Sequence, residues 1–204
     1  CSSQLDSLHM SYWPKNNTPD GLVFIHIPKT AGLSVQAWHR QRLGKVHKAM
    51  HADVQHPHIS KAMKTMQSFC VVRNPYDWMV SWFEYERKLT PRYIAKLGSI
   101  HKLNLEKETH NKELLIKKQS ILDKGFKYYL LEYGINITSQ YSWASEVDIV
   151  LRFYNLNNDF KKLFKSDNNL PIVNTTERQA WPSYYDKECK EIMLDYFSKD
   201  FTLL

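Results

Sequence analysis

Leu22-Val-Phe-Ile-His-Ile-Pro-Lys-Thr-Ala-Gly-Leu-Ser-Val35 decides the fold class of this chain. Its first part, Leu22 to Ile27, is a short run of β-branched and aromatic residues stopped by Pro28, which is how a strand buried on both faces reads. A helix is predicted from about Leu33 to Leu43, so Pro28 to Ser34 becomes a strand-to-helix turn. At a helix start the free N–H groups converge and the helix dipole adds positive potential, so an anion is expected in that turn. Gly32 permits close approach to the backbone, Thr30 and Ser34 offer hydroxyl donors, and Lys29 brings a full positive charge. The loop is not a Walker A sequence, because its lysine precedes the glycine and Gly-x-x-x-x-Gly-Lys is missing. An ordinary turn carrying a surface lysine has the same letters, and the loop alone leaves both readings open.

Outward from this stretch, Ser68-Phe-Cys-Val-Val-Arg73 reads as a second buried strand that ends at Asn74-Pro75. Asn74 suits a helix N-cap, Pro75 the first helical position and Asp77 the positive end of the dipole, which predicts a helix to about Lys88. Helical side chains lean toward the N-terminus, so Ser81, two turns in, is expected to aim back at Arg73, and the two together to grip one phosphate. Arg73 as a structural ion-pair partner is the alternative. If the two strands are parallel neighbours, both loops open on one carboxyl edge, where α/β proteins bind nucleotides, and the spacing suits a ligand with two separated phosphates.

Residues 57–66 fit a helix opened by Pro57, residues 90–125 one or two amphipathic helices, and Asp148-Ile-Val-Leu-Arg-Phe153 a third strand. Helices are also predicted at about 156–165 and 184–197. Strands alternating with helices imply a parallel sheet covered on both faces. A chain of 204 residues, 43% hydrophobic, is sized for one core, so 21–204 is read as a single domain behind a polar leader, 1–20, whose His9-Met10 pair resembles a junction. The net charge of +7 favours anionic partners without naming them. Cys1, Cys70 and Cys189 show no metal-ligand spacing, and Cys70 reads as a small core residue. No stretch reaches the length of a membrane span.

The segment Phe24-Ile-His-Ile-Pro-Lys-Thr-Ala-Gly-Leu-Ser-Val35 resembles the phosphosulfate-binding loop of the Golgi-type carbohydrate sulfotransferases and their bacterial and viral relatives. Cys70-Val-Val-Arg-Asn-Pro-Tyr-Asp-Trp-Met-Val-Ser-Trp82 resembles the 3′-phosphate motif of the same family. Val147-Asp-Ile-Val-Leu-Arg-Phe-Tyr-Asn-Leu156, Leu170-Pro-Ile-Val-Asn174 and Tyr184-Tyr-Asp186 follow the family's order. The resemblance implies a P-loop-like three-layer α/β fold, with a central, mainly parallel sheet flanked by helices. It implies transfer of a sulfuryl group from 3′-phosphoadenosine 5′-phosphosulfate (PAPS) to a hydroxyl of a carbohydrate acceptor, leaving adenosine 3′,5′-bisphosphate, with no metal. Lys29, Thr30, Ala31, Gly32, Leu33 and Ser34 then hold the phosphosulfate, and Arg73 and Ser81 the 3′-phosphate. Arg178, in a polar loop that in relatives approaches the nucleotide or acceptor, is a further anion contact, with a surface salt bridge as the simpler alternative. Gln140 sits where family members line the acceptor pocket. Leu33 stands where the family has Thr, Trp78 where it has Arg or Lys, and Tyr154 where it has Glu.

Sulfuryl transfer is an in-line displacement, for which Lys29 is the charge stabiliser and a histidine the suitable general base. His51-Ala-Asp-Val54 resembles the family's His-Ala-Thr-Ala stretch, which makes His51 the expected base, with a structural histidine as the alternative. Zinc is not expected from His47, His51, His56 and His58, because no Cys or carboxylate completes the set. Two rival functions stay open: a nucleotide kinase, and an inactive sulfotransferase fold that binds acidic glycans. A nucleic-acid partner is not expected, since Lys is interleaved with Glu and no recognition motif is present. A soluble, cytoplasmic microbial protein is the favoured setting, while sequons at Asn16, Asn136 and Asn174 permit the Golgi lumen for a eukaryotic catalytic fragment.

Overall fold

The structure, a computed structural model, describes residues 22–43, 63, 66–99, 105–173 and 175–204. The helix expected over 57–66 falls outside these residues apart from two positions, Met63 and Met66. Strands β1 (Leu22–Ile25), β2 (Gln67–Val72) and β3 (Ile149–Arg152) form one parallel sheet in the order β1-β2-β3. Helices follow as α1 (Gly32–Leu43), α2 (Pro75–Ser99), α3 (Leu105–Glu132), α4 (Gln140–Ala144), α5 (Leu156–Phe164) and α6 (Lys187–Phe197). The described chain is mixed α/β and mostly helical, with a small parallel sheet flanked by helices. It divides into two compact units, one comprising the described residues up to Asn74 with Thr138–Thr175 and Lys199–Leu204, the other Pro75–Ile137 with Thr176–Ser198.

The first unit contains the sheet. Successive side chains of a strand point to opposite faces, so an unbroken apolar run needs a core on each side. Leu22, Phe24, Phe69, Val71 and Leu151 take one face, with Val35 and Trp38 of α1 and Leu156, Phe160 and Phe164 of α5. Val23, Ile25, Cys70 and Val72 take the other, with Ala144 of α4 and partly buried Val150, Leu203 and Leu204. Phe69, opposite Phe24 on one side and Ile149 on the other, stacks 4.9 Å from the Phe24 ring and meets Phe164 edge-on at 5.4 Å. Full burial of each large side chain in such a layer contributes roughly 1.5–3 kcal/mol. Burial also pushes the Cys70 thiol up to about 12, which leaves it protonated at neutral pH, as its reading as a core residue requires.

The second unit is helical. Phe83 of α2 lies 5.5 Å from Phe126 of α3, and Met193 and Phe197 of α6 join the same core. The helix expected to stop near Lys88 runs on through Pro91 to Ser99. A proline inside a helix removes one hydrogen bond, here to the Arg87 carbonyl, and one lost bond need not end the helix. The Thr90 hydroxyl also bonds back to the Glu86 carbonyl at 2.8 Å. α3 is interrupted at Gly125, whose φ of 75° and ψ of −160° suit glycine alone, close to the boundary read from the sequence. Trp78, which stands where the resemblance has a basic residue, is fully buried against Trp82 and Phe197 and is a packing residue of this unit. Among the described residues no helix is long and apolar enough to cross a membrane.

β2 and β3 are tied at their entrance by Asp148, whose carboxylate accepts the Ser68 hydroxyl and the Ser68 N–H, each at 2.7 Å. These bonds, the hydroxyl's first, hold the Asp148 carboxyl below its ordinary 3.8. A depressed carboxylate contributes stability above the unfolded-state value, and the contribution disappears as pH falls through the folded-state value. Asp148→Asn should therefore be less stable than the native chain near neutral pH, with the gap closing as the solution is taken below about pH 4. Urea titrations across that range check this, and a gap that does not change with pH refutes the assignment.

Candidate anion-binding site

Because the strands are parallel, the loops after Ile25, Val72 and Arg152 leave the sheet at one edge. The loop after β1 begins with an Ile27 N–H bond back to the Ile25 carbonyl at 3.2 Å. Lys29 has φ 67° and Ala31 φ 73°, while Thr30 between them does not share the positive sign. Positive φ of this kind recurs in backbone nests, where successive N–H groups face one side and can receive an anion. A positive φ costs a residue with a Cβ about 1–2 kcal/mol, so two of them within three residues mark a strained turn. The N–H groups of Ser34 and Val35 both bond to the Ala31 carbonyl, at 2.9 and 3.2 Å. Those of Gly32 and Leu33, the first two residues of α1, have no acceptor within the helix.

Two loop residues depart from their expected roles. Thr30 is fully buried and its hydroxyl donates to the Ile27 carbonyl at 2.8 Å, so its one hydroxyl hydrogen braces the turn and is not offered to a ligand. A Cβ on Gly32 would fall 1.7 Å from Nε2 of His26, so the missing side chain first makes room for the protein's own imidazole. His26 is buried, stacks on Phe24 with centroids 5.5 Å apart, and has Nδ1 3.4 Å from Nε2 of Gln36. Sequence reasoning absorbed His26 into the apolar run. The period of two that puts Leu22, Phe24 and His26 on one face was the available signal. Leu33 is 43% exposed and brings no hydroxyl, leaving its backbone N–H as its polar group at the turn.

Arg73, the residue after β2, reaches this loop. Its Nη1 donates to the Lys29 carbonyl at 3.2 Å, and its guanidinium lies 4.2 Å from the ring centre of Phe153, just after β3. The backbone of Arg73 is held by Gln140: Oε1 accepts the Arg73 N–H and Nε2 donates to the Arg73 carbonyl, both at 2.8 Å. Gln140 was expected to line an acceptor pocket. It is instead fully buried with both amide atoms engaged by the backbone, a constraint made across 67 positions in sequence that no local pattern announces. The Arg73 guanidinium thus meets the Lys29 backbone at a turn that opens onto the start of α1, where free N–H groups and one placed cation suit an anion.

Three further residues were expected at the site. Ser81 belongs to α2 in the second unit, one helical turn beyond Asp77. In that unit Arg178 pairs with Asp77, and the two side chains are 13% and 20% exposed, so the pair is more buried than the surface salt bridge offered as its alternative. His51 lies outside the described residues. Comparisons with family models, curated proteins and solved structures return no match.

The contact between His26 and Gly32 makes a direct test of what the glycine is for. Gly32→Ala should lower stability by about 1–3 kcal/mol through overpacking, and most of that loss should vanish in a His26→Ala background. Denaturation of the four chains measures the coupling. Equal losses in both backgrounds would mean that the imidazole is not what Gly32 accommodates.

Proposed function

We propose that this protein is a sulfotransferase that binds the phosphosulfate of PAPS in the turn Pro28–Ser34 and delivers the sulfuryl group to a hydroxyl of a carbohydrate acceptor. The observation that carries the proposal is the strained turn itself: positive φ at Lys29 and Ala31, opening onto the start of α1, with the Arg73 guanidinium bonded to the Lys29 carbonyl. Backbone strain persists where the surrounding structure imposes it, and it clusters where a ligand is gripped. A sheet edge formed by parallel strands is the usual nucleotide site of α/β proteins, and the P-loop-like fold belongs to the same proposal.

PAPS supplies the sulfuryl group and, as its leaving group, the 5′-phosphate of adenosine 3′,5′-bisphosphate. Lys29 places a positive charge beside the turn, where negative charge builds on the leaving oxygen as its bond to sulfur breaks. The backbone N–H groups of the turn and of Gly32 and Leu33 orient the anion in line with the entering hydroxyl. Arg73, its backbone fixed by Gln140, adds the second cation and is the proposed 3′-phosphate contact. His51 is the proposed base that takes the acceptor's proton as the new oxygen–sulfur bond forms.

Adenosine 3′,5′-bisphosphate should bind in the absence of magnesium and raise the melting temperature, with a stabilisation of about 2.7 kcal/mol at a hundredfold excess over Kd. Labelled PAPS with a panel of glycans should yield sulfated product, and Lys29→Ala should slow that transfer by about 10²–10³-fold. Preference for a magnesium nucleotide would point to a kinase. Glycan binding without any transfer would leave an inactive binding module, and either result overturns the proposal.

A further inference from the structure

Gln140 has no chemical part in the proposed transfer, yet its side chain makes the two bonds that a neighbouring strand would otherwise provide. The register of β2 with β1 ends at Ile25 opposite Cys70, and that with β3 ends at Val72 opposite Arg152. Arg73 stands one residue beyond. A backbone N–H and carbonyl left unpaired in a half-buried position are costly and free to reorient. The carboxamide of Gln140 supplies one acceptor and one donor at the spacing of a peptide group, and both contacts are 2.8 Å.

Gln140 is held in turn. Its own N–H bonds to Oδ2 of Asp200 at 2.9 Å, and the N–H of Tyr141 bonds to Oδ1 of the same carboxylate at 2.8 Å. One side chain therefore satisfies two of the orphan donors at the start of α4. Ser139 adds a capping bond to the Ser142 N–H at 3.2 Å. Gln140 is fully buried and Asp200 is 1% exposed. The sequence of contacts runs from Asp200 to the first turn of α4, through the Gln140 carboxamide to the Arg73 backbone, and by the guanidinium to the carbonyl of Lys29. That carbonyl belongs to a residue with positive φ in the anion-binding turn.

We infer that Gln140 is a positioning residue: it fixes the direction in which Arg73 leaves β2, and Asp200 fixes Gln140. The inference depends on the sulfotransfer proposal for the identity of the ligand, and not for the coupling between Gln140 and Arg73. Gln140→Ala and the apolar, similarly sized Gln140→Met, each alone and combined with Arg73→Ala, are titrated with adenosine 3′,5′-bisphosphate below their melting temperatures. Either single substitution should weaken binding about tenfold, the equivalent of one buried hydrogen bond, and should cost nothing further once Arg73 is alanine. Loss of the same size in both backgrounds, or no loss in either, overturns the inference.

A second readout keeps the two proposals separate. Hydrogen exchange at the Arg73 amide should quicken about tenfold in Gln140→Ala while the Val71 amide keeps its protection, whatever ligand the site takes. If the native chain fails to bind the bisphosphate, the sulfotransfer proposal falls and exchange at Arg73 still decides the role of Gln140. Unchanged exchange refutes that role.

Discussion

Parallel pairing of β1 with β2, with Phe24 opposite Phe69, is the constraint from which the candidate site follows. A slip of β1 by one residue would move Val23 and Ile25 into the core occupied by Phe24 and Phe69, and the two faces have different shapes. The register therefore has one solution. It places the end of β1 beside the end of β2, and so brings the Lys29 carbonyl within reach of the Arg73 guanidinium. The same layering sets Phe153, which follows β3, beneath that guanidinium. Core packing and site geometry are one arrangement in this unit.

Much of the framework was legible because it depends on local pattern. Apolar runs of four to six residues gave all three strands, and Pro75 opens α2 as its chemistry favours, while the helix expected from about 184 starts at Lys187 behind Asp186. Asp186 accepts the Cys189 N–H as an N-cap should. What escaped was long-range. The pairing of Gln140 with the Arg73 backbone, the bonds from Asp200 to the start of α4, and the burial of His26 against Gly32 all depend on tertiary proximity. Thr30 was misread for a related reason: a hydroxyl in a tight turn has a backbone carbonyl three residues back as a ready partner.

In the second unit the same distinction holds. Trp78 and Arg178 stood out in the sequence as an irregularity and as a candidate contact, and the partners of each are distant in sequence. The indole fills a helical core, and the guanidinium is compensated by Asp77. An arginine with so little exposure needs its carboxylate, since an uncompensated charge there is far more costly than the pair.

The positive φ values at Lys29 and Ala31 have a kinetic side. A turn already bent into shape before any ligand arrives spares the incoming anion the entropy of ordering flexible chain. Capture is then governed by diffusion, and a cation such as Arg73 beside the turn quickens it as ionic strength is lowered. Residence time is set separately, by how many donors must let go at once. A turn of that kind can take up and release an anion without refolding.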